Sequence, residues 1–532
     1  MTDNLPKDSK TNISGMDLGK MAAEGATALL IGEIISKLVG VLGSVFLIRL
    51  LVSPSLYAYI AIATVVPGIV MMGDLSGVDT ALNRYLSLYK REKNPQAMWS
   101  SFWVSNSIKI LTGIGLSLLA YFLAQPVSLL LGKPTVGEYL EIASSLPIVW
   151  TLQINIKCTL LPLGRARWYS ELQIVNEVLL SSAPVVAVIL GYGPRGALIA
   201  LVAANFTYLI VGMMVSSKAL LLDTSPPDRK ITYLSTLKRM VRFGLPLGIS
   251  GSVSGFSGQL VNLIIGKFVS LNIYGLYSVA SSAYSLMNSI SDPLSAMAFP
   301  IYSRIKAPAE SDILRKVYDE TVKISTAVLF PFAVFFIIFA EPFMVLFFGA
   351  PYAGAGIFLT VLSLTWLSVG MGSPGVVLTS QGYSRLTASV TIVNTIAGVV
   401  LALIAVPTLG MLGYLVATLL VPWPSYFLLI KSAKADLKIS PPYSYVWPLY
   451  ASALLSSILS LFLLNFNLSP LLEVIFGAFE IPVSFLFFAI LLKGLRDSDA
   501  RNLKEMMSTQ PKMSKLVNPF IAILERTIKL VG

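Results

Sequence analysis

Histidine is absent from the 532 residues of this chain, and cysteine occurs once, at Cys158. The commonest zinc ligand and the commonest general base at neutral pH are therefore missing. A single thiol builds neither a disulfide nor a thiolate metal cage within one chain. Charge is scarce as well, at 12% of residues, about half the share of an ordinary soluble domain. What is present is apolar: 55% of residues are hydrophobic and the mean hydropathy is +0.76. At roughly 20 apolar residues per membrane helix, some 290 hydrophobic residues fill on the order of fourteen spans. That excludes a soluble enzyme domain, and the reading assigns no catalytic residue, no metal and no cofactor.

Apolar runs of spanning length fall at 26–52, 55–76, 99–124, 139–163, 172–191 and 196–217, then at 243–269, 274–300, 322–348, 355–380, 386–407 and 412–430, with two more at 445–466 and 471–492. The stretch 1–20 is polar and lacks the apolar core and cleavage site of a secretory signal, so nothing is expected to be removed. About 32 Lys and Arg fall on the side of the amino terminus against about four on the other. By the positive-inside rule both termini are cytoplasmic in a multi-pass protein of the cell membrane. The net charge of +12 then marks loops facing anionic lipid rather than a nucleic-acid surface.

The segment 52–63 aligns without gaps on 269–280, repeating Val, Ser, Tyr and Ala at four places, and each copy joins the first and second span of a set of six. An even number of spans separates the copies, so the sets share one orientation, as in the parallel halves of some transporters. The expected architecture is all-α and polytopic, with about 14 transmembrane helices in two parallel six-helix bundles plus two C-terminal helices. Its parts are a cytoplasmic segment 1–25, a bundle 26–218, a linker 219–241, a second bundle 242–431, helices thirteen and fourteen over 432–493, and a basic tail 494–532. The tail carries Leu516, Phe520, Leu524 and Ile528 at helical spacing, an amphipathic pattern. Two such bundles can rock about a seam, whose helices should be rich in small residues. Gly248, Ser250, Gly251, Ser252, Ser254, Gly255 and Gly258 after Pro246 supply them in the seventh span, and Gly32, Gly40 and Gly43 in the first.

Several motifs then look familiar in order and spacing: Phe243-Gly244-Leu245-Pro246, Gly275-Leu276-Tyr277-Ser278-Val279-Ala280, Phe299-Pro300-Ile301-Tyr302-Ser303-Arg304, Arg49-Leu50-Leu51-Val52-Ser53-Pro54 and Gly73-Asp74-Leu75-Ser76-Gly77. They resemble the polysaccharide biosynthesis or O-antigen flippase family of the multidrug/oligosaccharidyl-lipid/polysaccharide exporter superfamily. The resemblance covers roughly 25–431 and extends to the last two helices by topology. It implies a flippase moving a lipid-linked oligosaccharide, on a polyprenyl phosphate or diphosphate, from the cytoplasmic to the outer leaflet by alternating access. The implied partners are that substrate, membrane lipids and glycan-assembly enzymes, with the chain itself a monomer. Some relatives carry a cavity Arg on the eighth helix, where this chain offers only Asp292.

Ionisable residues at membrane depth are costly and become candidates for function. Glu33 and Lys37 stand four apart on one face of the first span, an arrangement that favours an intrahelical pair. Lys37 is a candidate phosphate anchor that leaves Glu33 when substrate enters. Lys157, with Gln153 and Asn155 expected to share a polar face with it, is the second anchor. Lys109, nearer the cytoplasmic end of its span, is expected to snorkel outward. Arg49 and Lys267 occupy equivalent outer ends of the first and seventh spans, where they either line an exit or anchor at headgroups. Glu177 is a candidate partner of Lys157 or of a coupling cation. Asp74 and Arg304 are a candidate gate pair, and Asp292 a candidate in gating or ion coupling.

Three rivals remain open. A cation-coupled multidrug or metabolite exporter of the same superfamily predicts an essential carboxylate, so that Glu33 and Asp292 outweigh Lys37 and Lys157. A membrane glycosyltransferase or polymerase commonly needs an acidic loop, and the outer loops here are short and nearly free of carboxylates. A nontransporting assembly scaffold would tolerate neutralisation of every buried charge.

Overall fold

The computed structural model describes residues 15–74, 77–224, 233–305, 307, 309–464, 466 and 468–496, with the backbone alone at 15–28, 30, 245–255, 289–290, 292–297, 445 and 463. The described residues form helices and no strands. An apolar chain in a bilayer has no water to satisfy its amides, so the backbone must close its hydrogen bonds within each segment.

The helices are α1 (Gly15–Leu51), α2 (Pro54–Ala63), α3 (Val65–Val70), α4 (Gly77–Arg91), α5 (Pro95–Leu130), α6 (Gly137–Ala143), α7 (Leu146–Leu160), α8 (Ala166–Ile189), α9 (Gly193–Asp223) and α10 (Tyr233–Phe268). There follow α11 (Leu271–Arg304), α12 (Ser311–Ile338), α13 (Ala340–Phe348), α14 (Ala355–Leu364), α15 (Pro374–Ser380), α16 (Ser384–Leu420), α17 (Pro422–Leu437), α18 (Tyr443–Leu464) and α19 (Pro470–Leu491). Local chemistry sets several ends. Asn94 caps α5 by accepting from the Ala97 amide at 3.0 Å, with Pro95 at the first helical position. Gly410, at φ 61°, ψ −144°, breaks α16 and separates the two apolar runs expected at 386–407 and 412–430.

Among the described residues eight helices are long and apolar enough to cross a membrane, and the bent pair Ala355–Met371 with Pro374–Ser380, at 51°, makes a ninth. The broken stretch Ser384–Leu437 is one of the eight, although it carries two expected spans. The shorter apolar helix Val446–Phe462 lies in the thirteenth run. The architecture is thus the all-helical polytopic one expected. Residues 1–14 and 497–532 lie outside the described residues, the amphipathic tail among them.

The chain divides into two compact units, Met1–Leu50 with Ala63–Gln259, and Leu51–Ile62 with Leu260–Gly532. The division falls inside α10, not in the expected linker 219–241, and it places 51–62 with the later residues. Packing explains the second point. Gly275 of α11 leaves no space for a Cβ against the Pro54 backbone, and Tyr57 hydrogen-bonds Ser282. The two copies of the sequence repeat therefore pack on one another.

The first unit has a core of Leu82, Leu86, Phe102, Ile156, Leu160 and Leu220 from α4, α5, α7 and α9. Gly32, Gly40 and Gly43 of α1 close against Ser170, Glu177 and Ser181 of α8, and Ser181 donates to the Val39 carbonyl at 3.2 Å. The small residues of the first span thus serve ordinary helix packing inside one unit. In the seventh span Gly258 meets open space, and the side chains of Pro246, Ser250, Ser252 and Ser254 lie outside the described residues, as do Gly248, Gly251 and Gly255. Among the described residues the second unit packs a core around Phe330, Phe339, Ile481 and Phe485 and another around Tyr302, Tyr318, Val377 and Leu437.

Candidate functional site

Two of the charged groups in the first unit stand in contrast to one another. One is open. On α1, Lys37 Nζ lies 3.1 Å from Glu33 Oε1, the side chains 38% and 55% exposed. The four-residue spacing on one helix face makes this contact without help from other elements. On α7, Lys157 is exposed, with its Nζ 6.0 Å from the ring centroid of Tyr169 on α8. Tyr169 is within electrostatic reach of Glu33. Tyr169 thus links Lys157 of α7 to the Glu33–Lys37 pair of α1, in one neighbourhood drawn from three helices.

The polar neighbours expected beside Lys157 turn elsewhere. Asn155 donates to Asn106 at 3.2 Å and accepts from Ser105 at 3.3 Å, both on α5. Gln153 donates to Asn205 on α9 at 3.1 Å. These amides bond helices together, because a buried amide finds its partner on the adjacent helix. Glu177 also differs from expectation. It packs against Gly40 of α1 and forms no ion pair with Lys157.

The other group is closed. Lys109 of α5 places Nζ 3.0 and 2.8 Å from the two carboxylate oxygens of Asp74 and 2.9 Å from Oδ2 of Asp79. None of the three side chains is more than 5% exposed. Lys109 therefore does not snorkel. Asp74 ends a single 3-10 turn, Met71–Gly73, and Asp79 stands in the first turn of α4. Asp74 is held by Lys109 within its own unit, and Arg304, in the second unit, is exposed. Asp79 Oδ1 is buried without a hydrogen-bond partner. Burial pushes the Asp79 carboxyl up to about 7, against the pull of the Lys109 ammonium.

A signal for this cluster lay in the sequence. Asp79 and Lys109 stand fifteen residues either side of Asn94, the N-cap between α4 and α5. In an antiparallel helical hairpin, residues equidistant from the turn lie side by side.

Close by, Tyr85 and Tyr89 of α4 stack with centroids 5.8 Å apart, Arg84 lies 4.3 Å over Phe243 of α10, and Arg239 hydrogen-bonds the Tyr89 hydroxyl. At the foot of the unit, Lys90 and Arg165 share Asp223 at 2.6 and 3.1 Å.

The remaining candidates are dispersed. Arg49, in the first unit, and Lys267, in the second, are exposed, with Lys267 Nζ 5.7 Å from the neighbouring Phe268 ring. The side chain of Asp292 lies outside the described residues. Among those described, no group of three or more Asp, Glu or Cys side chains is gathered as a metal would require. The second unit has its own concavity, of about 450 Å³, walled by Trp423, Tyr426, Tyr443, Trp447 and Tyr450 with Leu367 and Met371.

A family model described as polysaccharide biosynthesis protein matches residues 46–356. The succinoglycan biosynthesis transport protein ExoT of Rhizobium meliloti (strain 1021) is 24% identical over 328 residues, 61% of each chain. This chain therefore spans about 61% of the length of that curated relative. Among solved structures, lipid II flippase MurJ in an inward closed conformation superposes with a TM-score of 0.67 at 14% identity, covering 87% of this chain and 98% of that one. An inward-facing multidrug resistance transporter of the MATE family, in the MOP superfamily, gives 0.60 at 16% identity, covering 76% and 95%. At such identities the superpositions establish the fold. These relatives are described by transport, none of them by an enzymatic reaction.

Proposed function

The chain belongs to the polysaccharide biosynthesis protein family, and from that premise we propose that it is a membrane flippase, not an enzyme. Its cargo is an oligosaccharide on a polyprenyl phosphate or diphosphate, carried from the cytoplasmic to the outer leaflet by alternating access. We assign both termini to the cytoplasm, from the distribution of Lys and Arg.

The observation that carries this reading is the open neighbourhood of Glu33, Lys37, Lys157 and Tyr169. Such a substrate has a greasy tail, an anionic link and a hydrated head, and only the last two need shelter from acyl chains. Ammonium groups exposed at membrane depth are costly against lipid and favourable against water and phosphate. Lys37 holds Glu33 while the site is empty and exchanges it for phosphate. Lys157 supplies the second positive charge, with the Tyr169 ring beside it. The aromatic hollow of the second unit has the chemistry to accept part of an isoprenoid chain. Arg49 and Lys267 act at the outer ends of their helices.

Reconstitution in liposomes with a labelled lipid-linked glycan tests the proposal. The intact chain should move label between leaflets, and Lys37→Gln with Lys157→Gln together should reduce the rate by at least tenfold, about 1.4 kcal/mol. Undiminished flipping by the double variant defeats the assignment of this neighbourhood. Absence of flipping by the intact chain, with drug efflux lost on Glu33→Gln, supports the exporter instead.

A further inference from the structure

The buried cluster of the first unit is not used by the transport reading, and its charge does not balance. Lys109 contributes one positive charge and Asp74 and Asp79 two negative, in a volume from which water is excluded. Asp74 spends both oxygens on the ammonium, whereas Asp79 spends Oδ2 and leaves Oδ1 buried and unpartnered. An uncompensated charge in such surroundings is strongly disfavoured, and the group takes up a proton instead.

We propose that Asp79, with Asp74 and Lys109, is a binding site for one exchangeable proton, carried on Asp79 Oδ1. The step is simple addition: a proton from water bonds to Oδ1, the cluster becomes neutral, and Lys109 keeps its three contacts. The groups that face it are Asp74 from the 3-10 turn and Lys109 from α5, with Cys158 of α7 within electrostatic reach. On the α10 side, Gly77, two residues before Asp79, lies with its backbone against Gly244. Burial of Asp79, which pushes its carboxyl up, agrees with this geometry.

A consequence follows for the protein's motion. Gly77 and Gly244 leave no space for even a Cβ. Because Asp79 shares the first turn of α4 with Gly77, a shift of that turn on deprotonation disturbs the contact between α4 and α10. Proton occupancy is tied in this way to the packing of one helix end, whatever molecule is transported.

Infrared difference spectra of the full-length protein in micelles, between about pH 5 and about pH 8, test the site without any transport assay. The intact chain should show a protonated, buried carboxyl band that disappears at the higher pH. The band should shift on 13C labelling of Asp and not of Glu, and Asp79→Asn should abolish it, while Asp74→Asn retains it. No band, a band that shifts with labelled Glu, or a band surviving in Asp79→Asn overturns the proposal. Should Asp79→Asn not fold, the labelled intact chain still decides, and a negative result leaves the flippase reading standing.

Discussion

Lys109 and Lys37 are both cations in apolar helices of the same unit, and they have opposite fates. Lys109 is sealed between two carboxylates from other segments, whereas Lys37 reaches only a carboxylate on its own helix and stays open. Partner supply decides the difference. A buried ammonium persists where two acids desolvate with it, and an exposed one persists where water or an anionic ligand can reach it. On the proposals made above, the closed group holds a proton and the open one recognises an anionic ligand.

The largest effect that can break this contrast is Lys109→Met. It strands Asp74 and Asp79 together without their counter-ion, a change that costs about 3–5 kcal/mol in buried pairs. Thermal unfolding in detergent should show a large loss, partly recovered when Asp79→Asn is added. An unchanged unfolding temperature would mean that the cluster contributes nothing to the fold.

Next in size is the glycine contact beside the cluster. Gly77→Ala places a methyl group into the Gly244 backbone. Overpacking of this kind costs about 1–3 kcal/mol, read in the same unfolding assay. Gly258→Ala, with nothing near its Cβ position, is the matched control and should change little.

How much of this was legible in the sequence depended on how local each contact is. The pairing of Glu33 with Lys37 needs one helix and a spacing of four, so periodicity alone found it. The fourteen apolar runs likewise marked most of the helices. The fate of Lys109 needed a second helix. Its position along the span suggested snorkelling, and only the hairpin about Asn94 shows that Asp79 lies opposite. Gln153 and Asn155 were misjudged for the same reason: an amide in a lipid-facing sequence turns toward whichever neighbour accepts it, here α9 and α5. The placement of 51–62 with the later residues follows from the Pro54 contact with Gly275, which pattern matching along the chain does not reveal.

A finer separation of the two groups comes from pH. Asp79 is raised to about 7 in the folded chain, from an ordinary value of 3.8. Between these values the folded state holds a proton that the unfolded state has released. Its contribution to stability is full below about pH 4, falls as pH rises through the window and is gone above about pH 7. The slope of unfolding temperature against pH in that window should flatten in Asp79→Asn. Equal slopes in the intact chain and Asp79→Asn would remove the distinction between the two groups.

The smallest expected effect probes the open face itself. If Glu33 only holds Lys37 until a phosphate arrives, then Glu33 competes with the ligand, and Glu33→Gln frees the ammonium. Exposed pairs of this kind contribute about 0.2–1 kcal/mol, so the apparent affinity for a lipid-linked glycan should rise by no more than about fivefold. Stability should move by about 0.5 kcal/mol or less, as at other exposed sites. A permanently paired couple predicts the reverse, because removing its acid leaves a lone cation on the wall without improving binding. Equilibrium binding to the intact chain and to Glu33→Gln, measured at two salt concentrations, separates these outcomes: competition predicts a gain that shrinks as salt screens the pair, and a structural couple predicts no gain at either.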